Sequence, residues 1–72
     1  MAYTVELTTT YTTRRGIAAD YHAARVPTIP AAVAKFRQHW ERVGRRHGTR
    51  LDVTITADTG ERMLTRTLSR PY

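Results

Sequence analysis

Two glycine-ended turns, Thr13-Arg14-Arg15-Gly16 and Asp58-Thr59-Gly60, stand on either side of a single helical stripe, and this punctuation constrains the fold more than any other feature. Each turn separates two runs that can be extended, so each predicts a hairpin. Glycine at the end of the first turn can take the positive φ that closes a type I turn with a bulge and sends the chain back antiparallel.

The run before the first turn, Tyr3 to Thr13, is rich in Thr, Tyr, Val and Leu, residues that suit a pleated, half-buried surface. Its alternation puts Tyr3, Val5, Leu7, Thr9 and Tyr11 on one face and Thr4, Glu6, Thr8, Thr10 and Thr12 on the other, which is expected to be wet. The return run, Ile17 to Val26, carries Ala18, Ala19, Ala23 and Ala24, which favour helix. Its place after a turn and its length match the first strand, and Val26 precedes Pro27, which pushes it towards extended geometry. A strand is therefore expected, with a short helix as the alternative.

Thr28 can cap the next element and Pro30 is tolerated in a first helical turn. Ile29, Val33, Phe36, Trp40 and Val43 recur at spacings of three and four, predicting an amphipathic helix over Ala31 to His47 with Gly48 as its stop. Arg42, Arg45, Arg46 and His47 fall in its last turns, where positive charge meets the negative end of the helix dipole. After the helix, Leu51, Val53, Ile55 and Ala57 alternate with polar residues, and Glu61 to Ser69 returns as the last strand. A bulged turn places Met63 opposite Ile55. A two-residue Thr59-Gly60 turn instead places Leu64 opposite Ile55 and Leu68 opposite Leu51, the better apolar match and the expected register.

Hairpin, helix, hairpin closes most simply as a two-layer α+β fold: ββαββ, a four-stranded sheet with one amphipathic helix packed on one face. This order resembles the β-grasp arrangement, in which the first and last strands lie parallel in the centre and the helix crosses diagonally. The resemblance is one of topology, covers most of the chain, and carries no activity with it.

Residues 1–72 make one small basic domain by this reading, too short for a large enzyme. Of the 40% hydrophobic residues many are Ala, so the core is thin, and without Cys no disulfide reinforces it. That fits a reducing cytosol, and no apolar run is long enough to span a bilayer, so a cytoplasmic protein with no membrane partner is expected. Twelve basic residues against six acidic ones give a net charge of +6 and a pI near 10.8, which favours polyanions. All the cations but Lys35 are Arg, a bias that GC-rich coding also produces.

No phosphate loop, paired CxxC or HExxH is present, and one Ser with no Cys leaves the usual nucleophile triads without parts. The spacing of His22, His39 and His47 aims no helical pair at one metal, so neither a metal nor any other cofactor is expected. His22 and Asp20 share a face of the return strand, where they could form an oriented base, but two solvated polar residues is the simpler reading. A metal-independent ribonuclease using His22 or His47 with an Arg lacks any specifying motif.

The arginines carry the stronger signal. Arg14, Arg15, Arg37, Arg42, Arg45, Arg46 and Arg50 lie at a hairpin tip, on the helix and just beyond it, and can grip phosphates without reading bases. A non-enzymatic module contacting DNA or RNA with little sequence specificity is the expected function. The alternative is a protein-interaction or regulatory accessory module, directed to an acidic protein or homodimeric through a sheet edge or the Thr-rich face. Trp40 and Phe36 fall on the apolar stripe and read as core; surface pairs such as Glu41–Arg45, or Asp52 with a cross-strand Arg, would instead serve solubility.

Overall fold

A computed structural model describes residues 2–70. Strand β1 (Tyr3–Thr13) turns into β2 (Gly16–Val26); helix α1 (Ile29–Val43) follows, and β3 (Thr49–Ala57) and β4 (Arg62–Arg70) form the second hairpin. The strands make one sheet in the order β2-β1-β3-β4, every neighbour antiparallel, with α1 across one face. The α+β class, the hairpin–helix–hairpin order and the two layers are those expected. One detail of the β-grasp resemblance differs: the central neighbours are β1 and β3, antiparallel, and β4 lies at an edge.

The first hairpin runs in unbroken register from Tyr3↔Val26 to Thr13↔Gly16. Gly16 has the expected positive φ of 126°, but the pairing passes through it without the expected bulge. Thr13 ties the turn, its Oγ1 accepting from the Arg15 N–H at 3.2 Å and donating to the Gly16 carbonyl at 2.9 Å. The Ala-rich return is a strand along all eleven residues, because a two-residue turn lays it directly against β1 and continuous pairing outweighs a helical preference of a few tenths of a kcal/mol, roughly, per residue.

The helix begins as expected, with the Thr28 side chain accepting from the Ala31 N–H at 3.2 Å and Pro30 in the first turn. Its end differs: α1 stops at Val43, not His47, with Gly44 as its cap. Gly44 is buried against Trp40, and a Cβ there would sit 2.7 Å from the indole ring and from the Trp40 carbonyl. Only glycine lets the chain pass so close, and it leaves the helix at that point. Arg45, Arg46 and His47 therefore lie in the link to β3, and Gly48, at φ 84°, serves as the entry to that strand.

The core is the helix-facing side of the two central strands. Val5, Leu7, Leu51, Val53 and Ile55 are at most 1% exposed beneath Ala32 and Phe36, and Tyr3, Val33, Trp40, Leu64 and Leu68 close its margins. Each such aliphatic side chain stabilises the fold by about 1.5–3 kcal/mol through burial. In the second hairpin Ile55 pairs with Leu64 and Leu51 with Leu68, the expected apolar match. The turn that achieves it is wider than a two-residue turn: the Ala57 N–H donates to the Glu61 carbonyl, Thr56 pairs with Arg62, and the register shift next to Ile55 leaves Met63 without a strand partner.

Candidate nucleic-acid interface

The topology sorts the charges along the sheet. Tyr11 pairs with Thr49, which pairs with Arg70, so the start of β3 and the end of β4 lie level with the distal part of β1. The tip of the first hairpin, Arg14-Arg15, projects three residues or more beyond that level, about 10 Å at the usual strand rise. Helix α1 runs towards the same end, and its link to β3 reaches the tip: the Thr12 N–H donates to the Gly48 carbonyl at 3.3 Å. Arg14, Arg15, Arg45, Arg46 and Arg50 thus share one end of the molecule, and all are exposed. Arg70 joins them. It was absent from the sequence-based set because only the β3–β4 register reveals that the last strand finishes there.

The remaining two members of that set sit apart. Five residues along a helix turn through roughly 140°, so Arg37 and Arg42 lie on opposite flanks of α1. Arg42 faces the β2 side, where it lines a crevice, and Arg37 lies on the other flank. Among the described residues, the salt bridges are Arg50–Asp52 at 3.3 Å and Arg25–Asp58 at 2.9 Å. Arg50 is therefore partly neutralised; Asp52 also accepts from the Thr67 hydroxyl at 2.8 Å. The Glu41–Arg45 pair expected from i, i+4 spacing does not apply, since Arg45 lies past the helix end.

The opposite end carries the acidic turn with Asp58 and Glu61. Desolvation acts to raise the Asp58 pKa, but the Ala2 N–H at 3.1 Å and Arg25 together outweigh it and hold the carboxyl below its ordinary value. On the open face, Glu6 accepts from the Tyr21 hydroxyl at 3.1 Å, and that bond is the main cause of a raised Tyr21 pKa.

Between α1 and β2 lies an open crevice of about 270 Å³ lined by Leu7, His22, Lys35, Gln38, His39 and Arg42. The His22 and His39 rings lie parallel, 6.3 Å apart. Nothing in the spacing of the histidines signalled this pair, because it depends on which flank of the helix faces β2. Arg42 donates to His39 Nδ1 at 3.1 Å, which makes Nε2 the protonated nitrogen, donating to Thr9 Oγ1 at 2.9 Å. Burial lowers the His39 pKa most, Arg42 and His22 lower it further, and Asp20 opposes them. With both ring nitrogens engaged, His39 is a neutral structural group; it satisfies the buried Thr9 hydroxyl. Asp20 and His22 do share a face, as expected, since each lies opposite an odd-numbered residue of β1. No group of three or more metal-ligating side chains occurs among the described residues, and none of the described helices is long and apolar enough to cross a membrane. Comparison with protein families, curated proteins and solved structures found no match to this chain.

Proposed function

We propose that this chain is a non-enzymatic module that contacts nucleic acid through its cationic end, holding the phosphate backbone with little dependence on base sequence. The observation that supports the reading is the gathering of Arg14, Arg15, Arg45, Arg46 and Arg50 at one end while Asp58 and Glu61 lie at the other. Guanidinium groups match phosphate geometry bidentately, and their spread over a hairpin tip, a link and a strand start suits several successive phosphates. Contacts to phosphate fix position without carrying sequence information, so positioning rather than specificity is expected.

Titrating labelled duplex and single-stranded oligonucleotides by fluorescence anisotropy at several salt concentrations tests this. Five phosphate contacts give a log K against log salt slope of about −4. Arg45→Ala with Arg46→Ala is expected to reduce that slope by about 2, whereas Arg62→Ala, near the other end, leaves it unchanged. Absence of binding at low salt, or equal effects from both ends, overturns the proposal. The protein-interaction reading draws on a different feature, the outer edge of β2.

A further inference from the structure

The outer edge of β2 is an eleven-residue strand that runs in straight register, without a bulge or proline. Sheet edges of this length are normally blunted by charge, bulges or a covering element, because they offer a row of unpaired backbone groups to any other strand. Among the described residues, two of the three large exposed hydrophobic side chains, Ile17 and Tyr21, lie on this strand, at 75% and 64% exposure.

The backbone groups that face outward can be identified. At the two ends of the β1–β3 ladder, the Asp58 N–H donates to the Ala2 carbonyl and the Thr12 N–H to the Gly48 carbonyl. Even-numbered residues of β1 therefore bond towards β3. Because successive residues of a strand bond to alternate sides, odd-numbered ones bond to β2, where their partners are even-numbered. The N–H and C=O groups of Ile17, Ala19, Tyr21, Ala23 and Arg25 are left pointing out of the sheet.

We propose that β2 pairs antiparallel with β2 of a second copy of this chain, about a two-fold axis at Tyr21, joining two four-stranded sheets into one. Tyr21 is the middle residue of Gly16–Val26, so this register alone overlaps the whole strand. It sets Tyr21 against the partner's Tyr21 in a hydrogen-bonded pair formed by outward-facing groups. It also sets Asp20 against the partner's His22, and His22 against the partner's Asp20, in non-hydrogen-bonded pairs, where side chains approach most closely. Opposite partners meet twice by symmetry. Moving the axis to Asp20 brings two carboxylates together, and moving it to His22 leaves Asp20 facing alanine. Both helices lie on the same face of the joined sheet, and the cationic ends point in opposite directions. A second copy is the occupant because the edge complements itself in length and hydrogen-bonding phase and sets a carboxylate against an imidazole at two symmetric positions.

Sedimentation equilibrium over a concentration series tests the pairing, with circular dichroism and thermal unfolding of each variant to establish its fold. The wild type is expected to show a monomer–dimer equilibrium. Ala23→Pro removes an outward-facing N–H without touching the β1 ladder and is expected to give a folded monomer. His22→Asp alone places two carboxylates opposite each other twice and is expected to weaken the dimer about tenfold or more, whereas Asp20→Lys alone removes the carboxylate that faces the partner's imidazole at both positions and is expected to weaken it less. Asp20→Lys combined with His22→Asp recreates opposite partners in the proposed register alone and is expected to restore the wild-type constant. If Ala23→Pro fails to fold, the exposed charge variants carry the test. A wild type that stays monomeric throughout, or a charge-swapped double variant as weak as the single ones, overturns the proposal. Neither outcome bears on nucleic-acid binding, since none of the cationic-end arginines is altered.

Discussion

The two outer strands of the sheet manage the same hazard in opposite ways. Edge β4 carries Arg62, Arg66 and Arg70 and is broken by the register shift at Met63. Pairing it with a copy about its centre would set Arg66 against Arg66 and bring Arg62 towards Arg70, so like charge and irregular backbone both oppose association. Edge β2 is unbroken, and its Asp20, His22 and Arg25 are not of one sign. Like charge repeated along one edge opposes pairing with a copy; the other edge repeats no charge and carries a carboxylate and an imidazole on either side of its middle residue. The comparison shows that edge protection depends on where charges fall along a strand, not on how many the chain carries.

The largest expected effect tests whether the two hairpins behave as one unit. Phe36→Ala removes the ring that packs on residues from both, and is expected to cost about 3–5 kcal/mol, with β-strand and helix signals lost in a single thermal transition. Separate transitions would show that each hairpin is stabilised independently. Next is Gly44→Ala, which forces a methyl into the Trp40 ring and the chain that leaves the helix there. A loss of about 1–3 kcal/mol in denaturant unfolding is expected. Because Gly44 precedes the link bearing Arg45 and Arg46, the same variant is expected to weaken any oligonucleotide binding, while Gly60→Ala, in open space but at φ 90°, affects stability only.

Acid separates the hairpins more gently. His39, which bonds to Thr9 of β1, has a folded pKa below its unfolded value, so the unfolded chain takes up the proton first. Its contribution is present above the ordinary histidine pKa and is lost as pH falls through and below it. Asp58, at the turn of the second hairpin, also has a depressed pKa, and its contribution is lost only lower, as pH falls through the carboxylate range. Thermal melts against pH are expected to show the first decline flattened in His39→Gln and the second in Asp58→Asn. The smallest effect is a gain: the Thr49 hydroxyl is buried without a hydrogen-bond partner, so Thr49→Val is expected to stabilise by about 1 kcal/mol. A loss on that substitution would mean that the hydroxyl is satisfied in solution.

Much of this molecule was legible in the order of its residues because local rules suffice for local features. Alternation in Tyr3–Thr13 and Leu51–Ala57 set the helix-facing sides, Thr28 set the start of α1, and matching Leu51 and Ile55 to Leu68 and Leu64 set a register that the bulge at Met63 then accommodates. The helix end was misplaced because Gly48 and Gly44 look alike in a sequence, and only contact with the Trp40 ring distinguishes them. The neighbour of β1 across the helix was likewise not legible: period two shows which face is buried, whereas strand order depends on how the helix crosses the sheet.

The arginines follow the same division. Their number and their location on turns, helix and strand ends were determined by the sequence, as was the near-neutral composition of β2. Tertiary structure alone decided that five of them share an end, that Arg70 arrives there, and that His22 meets His39. Hydrophobic period and turn chemistry act between residues a few positions apart. Convergence of distant side chains depends on register and on helix orientation, which the packed core sets collectively.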